Sequence, residues 1–276
     1  MKNKFLKMQG LGNDFIVFDS THAQLKFSPE QIKKISHRKF GIGCDQVLFI
    51  EKPKNSETDF FYRIFNADGT EAKQCGNGAR CIALFIQKKN LSEKSKLKIG
   101  TKSGTIITEV VNENEVMVDM GVPSFMPSDI PFITERVAKV YQIQLNDNVH
   151  DFSVVSIGNP HVALVVEDLS KIEIANIGSM ISNLKSFPEG VNVNFMEIKN
   201  SSKVNLKVYE RGVGETMACG SGACASVAIG IYRGFLNNEV QVCQPGGNLM
   251  VNWENENSSI FMTGPASIVY EGIFET

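Results

Sequence analysis

The chain is written twice. Leu11-Gly12-Asn13, followed by the run Phe15 to Asp19, has its counterpart in Ile157-Gly158-Asn159 and the run Val162 to Val166, an offset of 146 residues. The same offset sets Gln46-Val47 on Asn192-Val193, Phe49 on Phe195 and Glu51 on Glu197. An offset of 144 sets Phe65 on Tyr209, Asn66 on Glu210, Glu71 on Glu215, and Cys75-Gly76-x-Gly78-Ala79 on Cys219-Gly220-x-Gly222-Ala223. An offset of 143 sets Ser103-Gly104 on Gly246-Gly247 and Gly121 on Gly264. Matched stretches in one order, with a slowly drifting offset, are what two copies of one fold with unequal loops produce. The expected organisation is therefore two homologous halves, residues 1–121 and 122–264. Residues 265–276 contain one more strand-like run, Ser267-Ile268-Val269-Tyr270, expected to return to the first half.

Within each half the local signals are mostly β. Phe60 to Phe65, Val116 to Met120 and Val204 to Tyr209 are short runs rich in β-branched or aromatic residues, the mark of strands. Each half also holds one segment that is apolar nearly all round, Ala79 to Gln87 and Ala223 to Tyr232. A helix without a polar face is a buried one, so each is expected to run through the middle of a curved sheet. Ser28-Pro29-Glu30 predicts a capped, exposed helix ending near His37. The fold class is α+β.

With 276 residues, 42% of them hydrophobic, the chain can bury one large core or two medium ones. Its 28 basic and 30 acidic residues leave a formal charge of −2, with no block of like charge, so nothing favours a nucleic acid or an anionic membrane. Lys2, Lys4 and Lys7 interrupt the N-terminal stretch, and no run of signal-peptide or membrane-span length occurs, which predicts a cytoplasmic protein. Six cysteines show neither paired Cys-x-x-Cys spacing nor a His-x-x-x-His element, so no metal is expected. In a reducing compartment disulfides are not expected either. Cys44, Cys81, Cys224 and Cys243 read as small buried hydrophobes. Cys75 and Cys219 differ, since both lie in glycine-rich turns that lead into the apolar helices.

A helix start presents unpaired N–H groups and the positive end of the macrodipole, and both favour a thiolate. The glycines leave the amides of Gly76, Asn77, Gly220 and Ser221 open to an anion. If the halves face one another, two thiols and two amide nests converge, which suits a reaction whose two directions are near mirror images. Inversion at an α-carbon is such a reaction: one face needs a base and the other an acid, and donors at the carboxylate must stabilise charge as it spreads onto the oxygens. No sequence pattern for a PLP site offers another electron sink.

These motifs together, Asn66-Ala67-Asp68-Gly69, Cys75-Gly76-Asn77-Gly78-Ala79-Arg80, Glu210-Arg211-Gly212 and Ala218-Cys219-Gly220-Ser221-Gly222, resemble the diaminopimelate epimerase family. So do Gly10-Leu11-Gly12-Asn13-Asp14-Phe15 and Gly158-Asn159-Pro160-His161, and the likeness extends from near residue 5 to near residue 270. The resemblance implies two similar domains, each a curved, mostly antiparallel sheet around a central helix. It implies interconversion of LL- and meso-diaminopimelate, a precursor of lysine and peptidoglycan, without PLP, metal or other cofactor, by a cytoplasmic homodimer. Carried onto this chain, Cys75 and Cys219 are the acid–base pair, and Gly76, Asn77, Gly220 and Ser221 hold the reacting carboxylate. Asn13, Gln46, Asn66, Asn159, Asn192, Glu210 and Arg211 line the pocket, while His161 and Glu210 tune the thiols. The chemistry fits, since an arginine grips a carboxylate bidentately and a glutamate pairs with an ammonium. Two other readings are a proline or hydroxyproline racemase on the same fold, and a thiol-redox or metal-sensing protein built on the six cysteines.

Overall fold

In the computed structural model, which describes residues 2–72, 75–145 and 148–275, the first hairpin already shows a local compromise. β1 (Lys2–Gly10) and β2 (Asn13–Ser20) are antiparallel, and Leu11 (φ 58°) and Gly12 (φ 84°) make the turn between them. Two positive φ values are what a two-residue turn between right-twisted strands demands. Leu11 pays about 1–2 kcal/mol for that backbone. Its side chain is buried, and burying a leucine contributes about 1.5–3 kcal/mol, so the turn survives without a second glycine.

The chain divides into two compact units, Met1–Asp119 with Thr263–Thr276, and Met120–Met262. In the first, α1 (Pro29–Ser36) carries the chain from β2 to β3 (Gln46–Glu51), which pairs parallel to β2. Ser28 caps α1 in a reciprocal capping box with Gln31, Pro29 opens it and His37 closes it. β4 (Phe60–Asn66) runs antiparallel to β3, and the two-residue β5 (Glu71–Ala72) folds back on β4. α2 (Gly76–Lys88) then leads to β6 (Lys96–Thr101), parallel to β4, and β7 (Gly104–Val110) and β8 (Glu115–Asp119) complete an antiparallel meander.

The second unit repeats this wiring. β9 (Tyr141–Leu145) and β10 (Asn148–Ser156) form a hairpin, and β10 pairs antiparallel with β11 (Pro160–Val165). α3 (Ile174–Ser182) crosses to β12 (Asn192–Asn200), parallel to β11 as β3 is to β2. β13 (Lys203–Glu210) is antiparallel to β12, and β14 (Gly214–Thr216) folds back on β13. α4 (Gly220–Tyr232) leads to β15 (Glu239–Gln244), parallel to β13, with β16 (Gly247–Asn252) antiparallel to it. Strand pairing in both units is thus mixed: antiparallel overall, with a parallel pair wherever a helix intervenes. The division between units falls in β17 (Phe261–Pro265), and β18 (Ser267–Glu275) lies antiparallel on β1.

α2 and α4 are buried over nearly their whole length, which is why their sequences lack a polar stripe. Both begin three residues before the apolar run, at Gly76 and Gly220, because the first turn also includes the glycine-rich segment. α2 is not wholly apolar. Arg80 is fully buried in it, and its guanidinium donates to the Pro265 carbonyl and to Asn77 Oδ1. A buried charge needs such partners. Among the described residues, no helix is long and apolar enough to cross a membrane.

Candidate active site

Each unit places one cysteine at the same structural position. Cys75 is the N-cap of α2 (φ −148°, ψ 118°) and Cys219 the N-cap of α4 (φ −127°, ψ 113°). An N-cap side chain points back over the first turn, where the helix offers amide hydrogens. The first intrahelical bonds, Ala79 N–H to the Cys75 carbonyl and Ala223 N–H to the Cys219 carbonyl, start beyond the amides of Gly76, Asn77, Gly220 and Ser221.

In the first unit, Cys75 Sγ accepts from Gly78 N–H at 3.4 Å and lies 3.6 Å from Asn13 Oδ1. Asn13 sits at the start of β2, just after the Leu11-Gly12 turn, and its Nδ2 donates to Asp45 at 3.0 Å. That bond leaves Oδ1 for Cys75 and for Asn77 Nδ2, at 3.3 Å. Asn77 Oδ1 in turn accepts from Arg80 at 3.0 Å. Asp45 is itself held by Arg38 and by the Asp14 amide. Gln46 and Asn66, opposite each other on β3 and β4, are joined by a 2.9 Å bond from Gln46 Nε2 to Asn66 Oδ1.

In the second unit the surroundings are different. Cys219 Sγ lies 3.6 Å from Ser221 Oγ, which accepts from Asn159 Nδ2 at 3.3 Å. Asn159 Oδ1 is 3.0 Å from His161 Nε2, and His161 Nδ1 is 3.2 Å from Asn194 Nδ2. His161 is fully buried, and burial first, then the charge of Arg211, drop its pKa to about 3 against the Asn194 hydrogen bond; the ring is neutral. Burial first and the Glu210 carboxylate second push the Cys219 thiol well above its usual value, while the Ser221 hydroxyl and the Gly222 amide pull it down. Glu210 accepts from Thr216 at 2.6 Å. Asn192 Oδ1 accepts the Arg211 backbone N–H, and the exposed Arg211 guanidinium donates to the Glu189 carbonyl at 2.7 Å. Glu210 and Arg211 thus have separate partners.

Of the other cysteines, Cys44, Cys81 and Cys224 are buried, and burial raises the first two to about 11 and about 12. Cys243 corrects the sequence reading: it is only half-buried, because alternation on β15 turns it outward between buried Val242 and Gln244. Among the described residues, no three or more His, Cys, Asp or Glu are grouped to hold a metal ion. Sequence reasoning passed over Asp45, Tyr62, Asn194, Thr216 and Gln244. Gln244 accepts the Cys219 amide at 2.8 Å and Tyr62 OH faces the Cys75 amide at 3.5 Å. Asn194 had a signal: two residues after Asn192 on one strand, it shares that residue's face.

Solved structures share this architecture end to end. A phenazine biosynthesis protein of the PhzF family from Bacillus anthracis superposes with a TM-score of 0.70 at 19% identity, covering 100% of both chains. A hydroxyproline epimerase from Agrobacterium vitis, solved with bound trans-4-hydroxy-L-proline, gives 0.71 at 14% identity over 99% of this chain and 91% of its own. A predicted epimerase from Pseudomonas aeruginosa gives 0.71 at 15% identity over 99% of each chain. At these identities the likeness establishes the fold, and the two-domain mixed-sheet architecture is the one expected from the sequence. The family described as diaminopimelate epimerase matches residues 5–126 and 153–269, spanning both copies of the repeat, and the chain belongs to that family of epimerase-type isomerases.

Proposed function

We propose that the enzyme epimerises LL-2,6-diaminopimelate to the meso form, with Cys75 and Cys219 as the proton-transferring pair and no cofactor. The observation that carries this reading is the repeated placement of a cysteine as N-cap of a buried helix, once in each copy. One sulfur, as thiolate, takes the α-proton and becomes a thiol. The other, as thiol, delivers its proton to the opposite face and becomes a thiolate. Proton exchange with solvent resets the pair. The amides of Gly76, Asn77, Gly220 and Ser221 receive the carboxylate and stabilise the charge that moves onto it. Positioned acid and base contribute about 10²–10⁴-fold each, so this electrostatic share is large. Asn13, Gln46, Asn66, Asn159, Asn192, Glu210 and Arg211 supply donors and acceptors for the distal amino-acid end. A polar cage rejects substrates that leave it unpaired. The same reading carries a homodimer in the cytoplasm, the first of which light scattering tests.

Proton NMR in D₂O tests the substrate and the cofactor together. Loss of the α-proton signal from LL-diaminopimelate, without added PLP, is the expected result. Wash-in to proline with none to diaminopimelate would move the chain to the racemases of the same fold. Stoichiometric zinc in the purified protein would turn attention to the metal-sensing reading.

A further inference from the structure

We propose that Asn194 is a positioning residue for Cys219: its carboxamide fixes the tautomer of His161 and thereby the direction of a hydrogen-bond chain that ends on the sulfur. This rests on the reading of Cys219 as an acid–base group.

The direction follows link by link. Asn194 is fully buried on β12, and one end of its amide lies 2.8 Å from the Val162 carbonyl. A carbonyl only accepts, so that end is the NH₂ group. The same NH₂ is 3.2 Å from His161 Nδ1, and two donors cannot face each other, so Nδ1 is bare and the ring proton sits on Nε2. Nε2–H donates to Asn159 Oδ1 at 3.0 Å, which turns Asn159 Nδ2 toward Ser221 at 3.3 Å. The Ser221 hydrogen is then left for Cys219 Sγ at 3.6 Å. Every link donates the same way, so the links reinforce one another and favour the thiolate. The charged or titratable groups around the chain are Glu210, which opposes a Cys219 thiolate, neutral His161, and Arg211, whose charge acts on His161.

Two observations separate a positioning role from simple packing. Asn194 Oδ1 is buried without a hydrogen-bond partner among the described residues, an arrangement that costs stability. A hydrocarbon side chain would avoid that cost, and the first copy has one: at the offset of 146, Leu48 stands for Asn194 and Phe15 for His161. The first copy therefore has no counterpart of that histidine–asparagine pair. There the Asn13 amide is held the other way round, with Nδ2 on Asp45 and Oδ1 toward the sulfur.

The test is the pH dependence of iodoacetamide alkylation at each cysteine, read by peptide mass spectrometry, in the wild type, Asn194→Leu and the isosteric Asn194→Asp. Asn194→Leu offers Nδ1 no donor, so in that variant the Cys219 midpoint should rise by about one pH unit, slowing its alkylation about tenfold at fixed pH. An aspartate can pair with Nδ1 and keep Nε2–H on Asn159, so Asn194→Asp should move the midpoint less. Cys75 should change less than twofold. An unmoved Cys219 in Asn194→Leu, or equal slowing at both sites, overturns the proposal. Should neither variant fold, ¹⁵N-histidine NMR of the wild type decides it. The buried His161 imidazole must carry its proton on Nε2, and the opposite tautomer refutes the assignment. Neither readout needs a substrate, so both can fail while exchange into diaminopimelate stands, and the reverse.

Discussion

Gly78 and Gly222 occupy the same place in the two copies, yet methylating them should have opposite consequences. A Cβ on Gly222 would lie 2.5 Å from Asn194 Oδ1, 3.2 Å from Val208 Cγ2 and 3.3 Å from Cys219 Cβ. No carbon and oxygen tolerate the first distance, and Asn194 cannot retreat without loosening its bonds to Val162 and His161. Overpacking of this kind costs about 1–3 kcal/mol, and each bond loosened adds about 1 kcal/mol. Replacing a helical glycine by alanine returns about 1 kcal/mol. Gly222→Ala should therefore destabilise the protein by about 2–4 kcal/mol. A Cβ on Gly78 meets nothing closer than Cys75 Cβ at 3.5 Å and the Leu48 methyls at 3.6 Å, which is ordinary contact. Gly78→Ala should be neutral or stabilising by up to about 1 kcal/mol. At about 2–4 °C per kcal/mol, thermal unfolding followed by circular dichroism should separate the two variants by at least 4 °C. Equal melting points, or a Gly78→Ala protein the weaker of the pair, would refute the packing described around Asn194.

Cys75→Ala and Cys219→Ala should each abolish epimerisation, by about 10²-fold or more, since neither face can borrow the other's group; near-normal turnover in either variant would end the two-base scheme. Burial alone would raise the pKa of Asp14, but hydrogen bonds from Arg38 and Lys7 outweigh it and bring the carboxyl to about 2. The associated stability is complete above the unfolded pKa near 3.8 and is lost as pH falls toward 2. Discounted for solvent screening, it is worth about 1 kcal/mol, and Arg38→Ala should raise the acid-unfolding midpoint measured by circular dichroism. His161 acts in the same direction over a higher pH range. Its folded pKa of about 3 lies below the unfolded value of 6.5, so the unfolded chain binds the extra proton between them and stability falls as pH drops through that window. Between pH 7 and pH 4 the wild type should lose about 3 kcal/mol more than His161→Gln in urea unfolding, and equal losses would place His161 in water.

Much of this architecture can be read from residue order because the repeat and the apolar runs report burial directly. Phe60 to Phe65 and Val204 to Tyr209 are rich in β-branched or aromatic residues and lie within β4 and β13; Ala79 to Gln87 lacks a polar face and lies within α2. The hairpin of β9 and β10 gave no such signal, because Gln142, Gln144, His150 and Asp151 dilute its apolar residues. Arg80 reads as part of an apolar helix because nothing local shows that one of its two partners is the Pro265 carbonyl, nearly two hundred residues away. Cysteine position was legible, since strand, glycine turn and helix recur. The groups behind each cysteine were not. Comparing the copies draws the eye to identities, and Asn194 lines up with Leu48. Gln244 and Asp45 matter through one bond each, to the Cys219 amide and to the Asn13 amide, and a single long-range bond leaves no periodic trace.

Unequal surroundings for the two cysteines suit a duplicated scaffold to a two-base reaction. Identical halves would give both sulfurs the same surroundings, and a coupled pair with no bias has no preferred place for its one proton. Here the shared features are the N-cap position and the first-turn amides. The supporting residues have diverged: Asn77 against Ser221, Arg80 against Cys224, Phe15 and Leu48 against His161 and Asn194. Asn13 and Asn159 kept their identity but are held with opposite ends toward the cysteine side, one by Asp45 and the other by His161. On the two-base reading the conserved half of this pattern receives a carboxylate that is alike from both sides. The divergent half distinguishes the two directions of proton transfer, for a substrate whose remaining groups are not symmetric about the reacting carbon. Exchanging the supports should then bias the forward and reverse rates of exchange separately while leaving carboxylate binding in place.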